Sequence, residues 1–174
     1  MRIGRAKPED YGRVRDFYYE LIDAMAGARF NPGWERDIYP TQEFLRSSIE
    51  KGELFVGEEE GKILASMVVN HDYNEGYRKA SWPVNALDDQ VYVIHALGVH
   101  PEFFGRGIAK AMVREVIRMA GENGMRALRL DVLEGNLPAE KSYTAVGFRY
   151  VDTVRMFYED TGWTNYKLYE YSIH

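Results

Sequence analysis

The segment LGVHPEFFGRGIAKAMVREV, residues 97–116, restricts the fold of this chain more than any other stretch. An apolar run from Val91 to Val99 leads into it, Pro101 ends that run, and Gly105 and Gly107 sit in a short turn. Ile108, Ala109, Met112, Val113, Val116, Ile117 and Ala120 then recur at helical spacing. Because Val91–Val99 is apolar on both faces, it predicts a strand inside a sheet rather than at its edge. Strand, turn and helix in this order also build an anion site. The first amides of a helix have no partner within it, and the helix dipole adds positive potential there. Gly105 and Gly107 would let a phosphate approach the backbone, although a tight turn alone explains them equally well. A dinucleotide fingerprint needs a small residue where Lys110 stands, and the NTP-binding pattern G-x-x-x-x-G-K-[ST] does not occur.

Periodicity places further elements on either side of this unit. Residues 2–6 read as a strand, and Pro8, Glu9 and Asp10 open a helix that carries Val14, Phe17, Tyr18, Leu21, Ile22 and Met25 on one face and ends near Gly27. The aromatic stretch from Ala28 to Pro40 has no sustained period and reads as a loop, after which Thr41 caps a second helix to about Lys51. Leu54–Val56 and Ile63–Val69 flank GEEEGK, a hairpin signal with a longer loop. A polar, punctuated stretch fills 71–88, and Gly121 and Gly124 stop the central helix. Leu128–Val132, Phe148–Arg155 and Tyr166–Ile173 predict strands, with a short helix from Pro138 to Val146. The order β-α-α-β-β-β-α-β-α-β-β predicts one α/β domain over residues 1–174, its sheet mixed and partly antiparallel.

Composition narrows the function. Without any cysteine the chain can form no disulfide, thiolate nucleophile, iron–sulfur cluster or cysteine zinc site. A net charge of -5 argues against a nucleic-acid footprint and favours a cationic small-molecule or peptide partner. No apolar run approaches the roughly 20 residues of a membrane span, and MRIGRAKPEDYG lacks the apolar core of a signal peptide, so the expectation is a cytoplasmic protein off the membrane. His71, Asp72 and Glu75 lack regular ligand spacing, and no metal site is expected there.

Two motifs resemble the GNAT superfamily of acyl-CoA N-acetyltransferases. The family's pyrophosphate loop, [QR]-x-x-G-x-[GA], is matched at Gly107 and Ala109 of Phe104-Gly105-Arg106-Gly107-Ile108-Ala109, with Phe104 in place of the Gln or Arg. Downstream, Asn136 to Phe148 is similar to N-x-x-A-x-x-x-Y-x-x-x-G-F. The resemblance covers about residues 90–155 and extends to the order of elements before it. The stretch with Trp34, Tyr39 and Pro40 resembles a bacterial subgroup to which no substrate is assigned. It implies a mostly antiparallel mixed sheet with helices on both faces, and a splayed parallel pair near 91–99 and 127–132.

It also implies acetyl-CoA as acyl donor, a primary amine on a small molecule or peptide as acceptor, and direct attack, since no cysteine can carry an acyl-enzyme. Leu97, Gly98 and Val99 would meet pantetheine, and Phe104, Gly105, Arg106, Gly107, Ile108, Ala109 and Lys110 the phosphates. Asn136 would bond the pantetheine arm, or else cap a helix, and Tyr143 would give a proton to the departing thiolate. His95, an imidazole in an apolar strand, is the expected base, with Asp131 in reserve. Trp34, Tyr39, Asn70, Tyr73 and Trp82 are expected to wall the acceptor pocket. Two other readings compete: a non-catalytic acyl-CoA sensor or interaction module, and a scaffold that adds its carboxy-terminal strand TNYKLYEYSIH to a partner's edge, a homodimer being one such pairing.

Overall fold

A computed structural model describes all residues, Met1–His174. Seven strands form one open sheet: β1 (Arg2–Arg5), β2 (Leu54–Glu59), β3 (Lys62–Asn70), β4 (Val91–Val99), β5 (Ala127–Leu133), β6 (Arg149–Tyr158) and β7 (Gly162–Ser172). Their order across the sheet is β1-β2-β3-β4-β5-β7-β6, and β4 with β5 is the parallel pair. Four α-helices accompany them: α1 (Tyr11–Met25), α2 (Gln42–Glu50), α3 (Ile108–Glu122) and α4 (Leu137–Ala145).

Alternation along the strands decides which helix covers which face. In β2 and β3, Leu54, Val56 and Val68 join Val14, Phe17, Tyr18 and Leu21 of α1, together with Leu45 and Ile49 of α2, in one buried layer. Phe55, Met67 and Val69, one position out of phase, pack on the opposite face against Met112, Val113, Val116 and Ala120 of α3. Both faces are therefore covered, which is why these strands read as nearly continuous apolar runs. Thr41 caps α2 as expected, its hydroxyl accepting from the Phe44 amide at 3.0 Å.

Three expectations are corrected. The first hairpin has no longer loop: β2 runs to Glu59 and β3 starts at Lys62, so Glu60 and Gly61 make the turn with φ of 51° and 77°. Both values are positive, the geometry that matches strand twist in a two-residue hairpin. Gly121 does not stop α3, which continues to Glu122; Gly124 with φ 68° follows its end. The carboxy-terminal strand β7 is not an edge, because it is paired to β5 on one side and β6 on the other. Addition of this strand to a partner's edge is thereby closed, and the free edges belong to β1 and β6.

What positions the site is the divergence of β4 and β5. They pair only at Val91–Val93 against Ala127–Arg129, after which β4 stays with β3 and β5 stays with β7. The register of β3 on β4 shifts between Ser66 and Val68, and on β4 Ala96 takes a φ of 51°. A positive φ on alanine is held only by surrounding contacts. Here Tyr18 of α1 supplies one, its buried hydroxyl donating to the Ala96 carbonyl at 2.7 Å.

Candidate active site

Two hollows open where β4 and β5 part. The larger is a cleft of about 590 Å³ bounded by Leu97, Gly98 and Val99 of β4, the turn at Phe104, Gly105 and Gly107, and the start of α3 at Ile108, Ala109 and Lys110. Asn136, Ser142 and Tyr143 close its far side from α4 and the residue preceding it. The smaller, about 100 Å³, holds His95, Asp131 and Asp160 among the rings of Trp34, Tyr39, Tyr143, Tyr158 and Tyr166. Pro32, Trp34, Leu97, Asn136, Ala139 and Tyr143 line both, so the hollows meet there.

One end of the cleft is the glycine turn and the amino-terminal turn of α3. Gly107 caps α3 in a left-handed conformation, φ 73°, and Gly105 has φ 82°. Nothing stands within 4 Å of a side chain added at either, so the backbone conformation, rather than crowding, requires glycine. Lys110 is the one charged residue lining the cleft. Arg106 does not line it: the guanidinium makes a two-pronged ion pair with Glu59, both contacts 3.1 Å, and holds that carboxyl below its ordinary range. At Gly98 crowding does matter, because a Cβ there would come within 2.4 Å of Leu21 and 3.2 Å of Trp34. The missing side chain lets α1 and the aromatic loop close over the strand.

The small cavity concentrates negative charge and phenols. Asp131 Oδ2 accepts from Tyr77 at 2.8 Å and Tyr158 at 2.6 Å. Burial pushes the Asp131 carboxyl up, and those two hydroxyls only partly offset it. Burial also raises Asp160, whose Oδ1 has no hydrogen-bond partner. His95 Nε2 lies 2.8 Å from Asn70 Oδ1, which also accepts the Asp72 amide at 2.9 Å. The acceptor at Asn70 makes Nε2 the protonated nitrogen and leaves the lone pair on Nδ1. Burial lowers His95 to about 4, so the ring is neutral at pH 7. The Tyr143 hydroxyl is pushed up, first by burial and then by the Asp131 charge.

The expected acceptor wall is only partly assembled. Trp34 and Tyr39 line the small cavity, whereas Asn70 is buried behind His95 as its partner. Tyr73 and Trp82 are elsewhere, lining a separate hollow with His71, Arg78 and Arg129. The loop over 71–88 packs on Val91, Val93 and Ala127, where Tyr77 reaches Asp131, and Trp82 is tied there by its indole bond to the Tyr77 carbonyl at 2.8 Å. Tyr77, Tyr158, Asp160 and Tyr166 are the residues sequence reasoning missed. Their only signal was the surplus of tyrosine, thirteen in the chain. No group of three or more His, Cys, Asp or Glu converges as a metal site would, and no helix is long and apolar enough to cross a membrane.

Comparison with known proteins fits this geometry. The acetyltransferase from Streptococcus agalactiae described as of the GNAT family superposes with a TM-score of 0.81 at 20% identity, over 99% of this chain and 95% of that one. The protein yncA from Salmonella typhimurium, solved with its cofactor acetyl-CoA, gives 0.71 at 15% identity over 100% and 94%. N-alpha-acetyltransferase RimI of Mycobacterium tuberculosis is 35% identical over 71 residues, 41% of this chain and 43% of that protein. The matched stretches span 23% to 43% of the length of the curated relatives. The profile of the acetyltransferase (GNAT) family matches residues 15–148, which include the parted strands, the glycine turn and Tyr143. With fold, cleft and profile in agreement, the chain belongs to the acetyltransferase (GNAT) family.

Proposed function

We propose that this protein is an N-acetyltransferase that moves acetyl from acetyl-CoA to a primary amine by direct attack. The observation that carries this reading is the junction of the two hollows at Trp34, Leu97, Asn136 and Tyr143, where a donor held in one would meet an acceptor held in the other. The cleft fits the donor: its lining is mostly apolar, its one charged side chain is Lys110, and a glycine-capped helix N-terminus faces it. Leu97 to Val99 would offer backbone groups to pantetheine, and Phe104, Gly105 and Gly107–Lys110 would take the phosphates.

Bound there, acetyl-CoA supplies an activated acyl carbon: the C–N bond to the amine forms, the C–S bond breaks, the nitrogen loses one proton and the sulfur gains one. Tyr143 is assigned the proton that goes to sulfur. Burial keeps its phenol protonated, and the same apolar surroundings make a thiolate a stronger base than it is in water. His95 is assigned the proton that leaves nitrogen. The nitrogen becomes more acidic as the C–N bond forms, so a weak base such as Nδ1 of a neutral imidazole suffices.

Calorimetric titration with acetyl-CoA, with desulfo-CoA and ATP as controls, tests the reading, followed by amine-dependent thiol release. Saturable binding selective for acetyl-CoA with amine-dependent release is the expected result. Binding without turnover over a broad amine panel returns the sensor reading, and absence of binding sinks both.

A further inference from the structure

The small cavity has an unusual charge balance. Asp131 and Asp160 line it, no Lys or Arg does, and His95 is neutral. Asp131 Oδ2 is saturated by Tyr77 and Tyr158, and no side chain or amide reaches its Oδ1. Asp160 Oδ1 is buried without a partner. A buried carboxylate oxygen without a donor is costly, and an ammonium relieves that cost with both a hydrogen bond and an opposite charge. The rings of Trp34, Tyr39, Tyr158 and Tyr166 on the same walls attract a cation by their faces. Neither aspartate lines the donor cleft, so both carboxyls lie on the acceptor's side of the junction.

We propose that the acceptor carries a second positive charge: its non-reacting ammonium rests between Asp131 and Asp160 while its neutral amine faces the junction at Leu97 and Tyr143. This rests on the acetyltransferase reading of the site and specifies the acceptor. The ligand class is a short diamine, or a longer amine ending in one. A cavity of about 100 Å³ is somewhat smaller than one that holds benzene, which suits a spacer of about three to five carbons. Amino acids and other acceptors bearing a carboxylate are repelled from this end.

Diaminopropane, propylamine and β-alanine have similar lengths and differ in the group at the far end. Titrated calorimetrically without donor, diaminopropane is expected to bind about tenfold or more tightly than propylamine, with no detectable β-alanine binding, and to raise the melting temperature most. With acetyl-CoA present, kcat/KM from thiol release follows the same order. Asp160→Asn keeps the side-chain size and should reduce diaminopropane to the level of propylamine while acetyl-CoA affinity holds. Propylamine or β-alanine matching diaminopropane, or Asp160→Asn retaining the preference, overturns the proposal. If acetyl-CoA does not bind, the transfer reading fails by itself, and the donor-free titrations still decide what the cavity holds.

Discussion

Burial acts in opposite chemical directions on Tyr143 and His95: it holds a proton on the phenol and keeps one off the imidazole. For Tyr143→Phe the ring still packs on Phe148, at 5.8 Å between centroids, so the fold should persist. Turnover is expected to fall by about 100-fold, with acetyl-CoA affinity changed by less than about twofold, because only the proton donor is lost. Unchanged turnover removes Tyr143 from the acid role. For His95 the consequence is a stability linkage. Its folded value, about 4, lies below the ordinary 6.5, so the unfolded chain binds the proton more readily. The contribution is therefore complete above about pH 6.5 and is lost as pH falls toward 4, by up to about 3 kcal/mol. Denaturant titrations at several pH values should show wild type losing more stability over this window than His95→Gln; parallel losses would contradict it.

At the scale of elements, the turn between β4 and α3 makes the functional demand on the backbone. Gly107→Glu puts a charge and a side chain at the helix N-terminus at a φ of 73°. The strain of that conformation costs about 1–2 kcal/mol, while repulsion of phosphate should reduce acetyl-CoA affinity by more than about 100-fold. Gly107→Ala carries the strain without the charge, and there is open space around it. Its affinity is expected to fall much less, by about tenfold or under. Equal losses in the two variants, measured calorimetrically, would mean that conformation rather than charge governs the turn. The turn was legible in the sequence because Pro101, Gly105, Gly107 and the stripe from Ile108 to Ala120 are local signals. The bulge at Ala96 was not, because it arises from the register of β4 against β3 and from Tyr18 on another element.

Across the whole molecule, β7 ties the sheet together. It bonds β5 from Ala127 to Leu133 and β6 from Arg149 to Tyr158, and it buries Tyr166, Leu168 and Tyr169. Truncation after Asn165 should therefore abolish cooperative unfolding followed by circular dichroism. A strand that served only to pair two copies would instead leave a folded monomer, and that outcome would contradict this topology. Legible in the residues alone were the element order, the α/β class, the central place of Val91–Val99, and Leu97–Val99, Phe104, Gly105 and Gly107–Lys110 as lining of the cleft. Those features rest on helical and strand periods and on glycine and proline, which act over a few residues. Only the tertiary structure decided that β7 inserts between β5 and β6, which brings Tyr158 and Asp160 to Asp131, and that Tyr73 and Trp82 face a different hollow from Trp34. Strand order and the hollow that a loop lines are settled by packing between segments far apart in the chain, and no local pattern of residues encodes them.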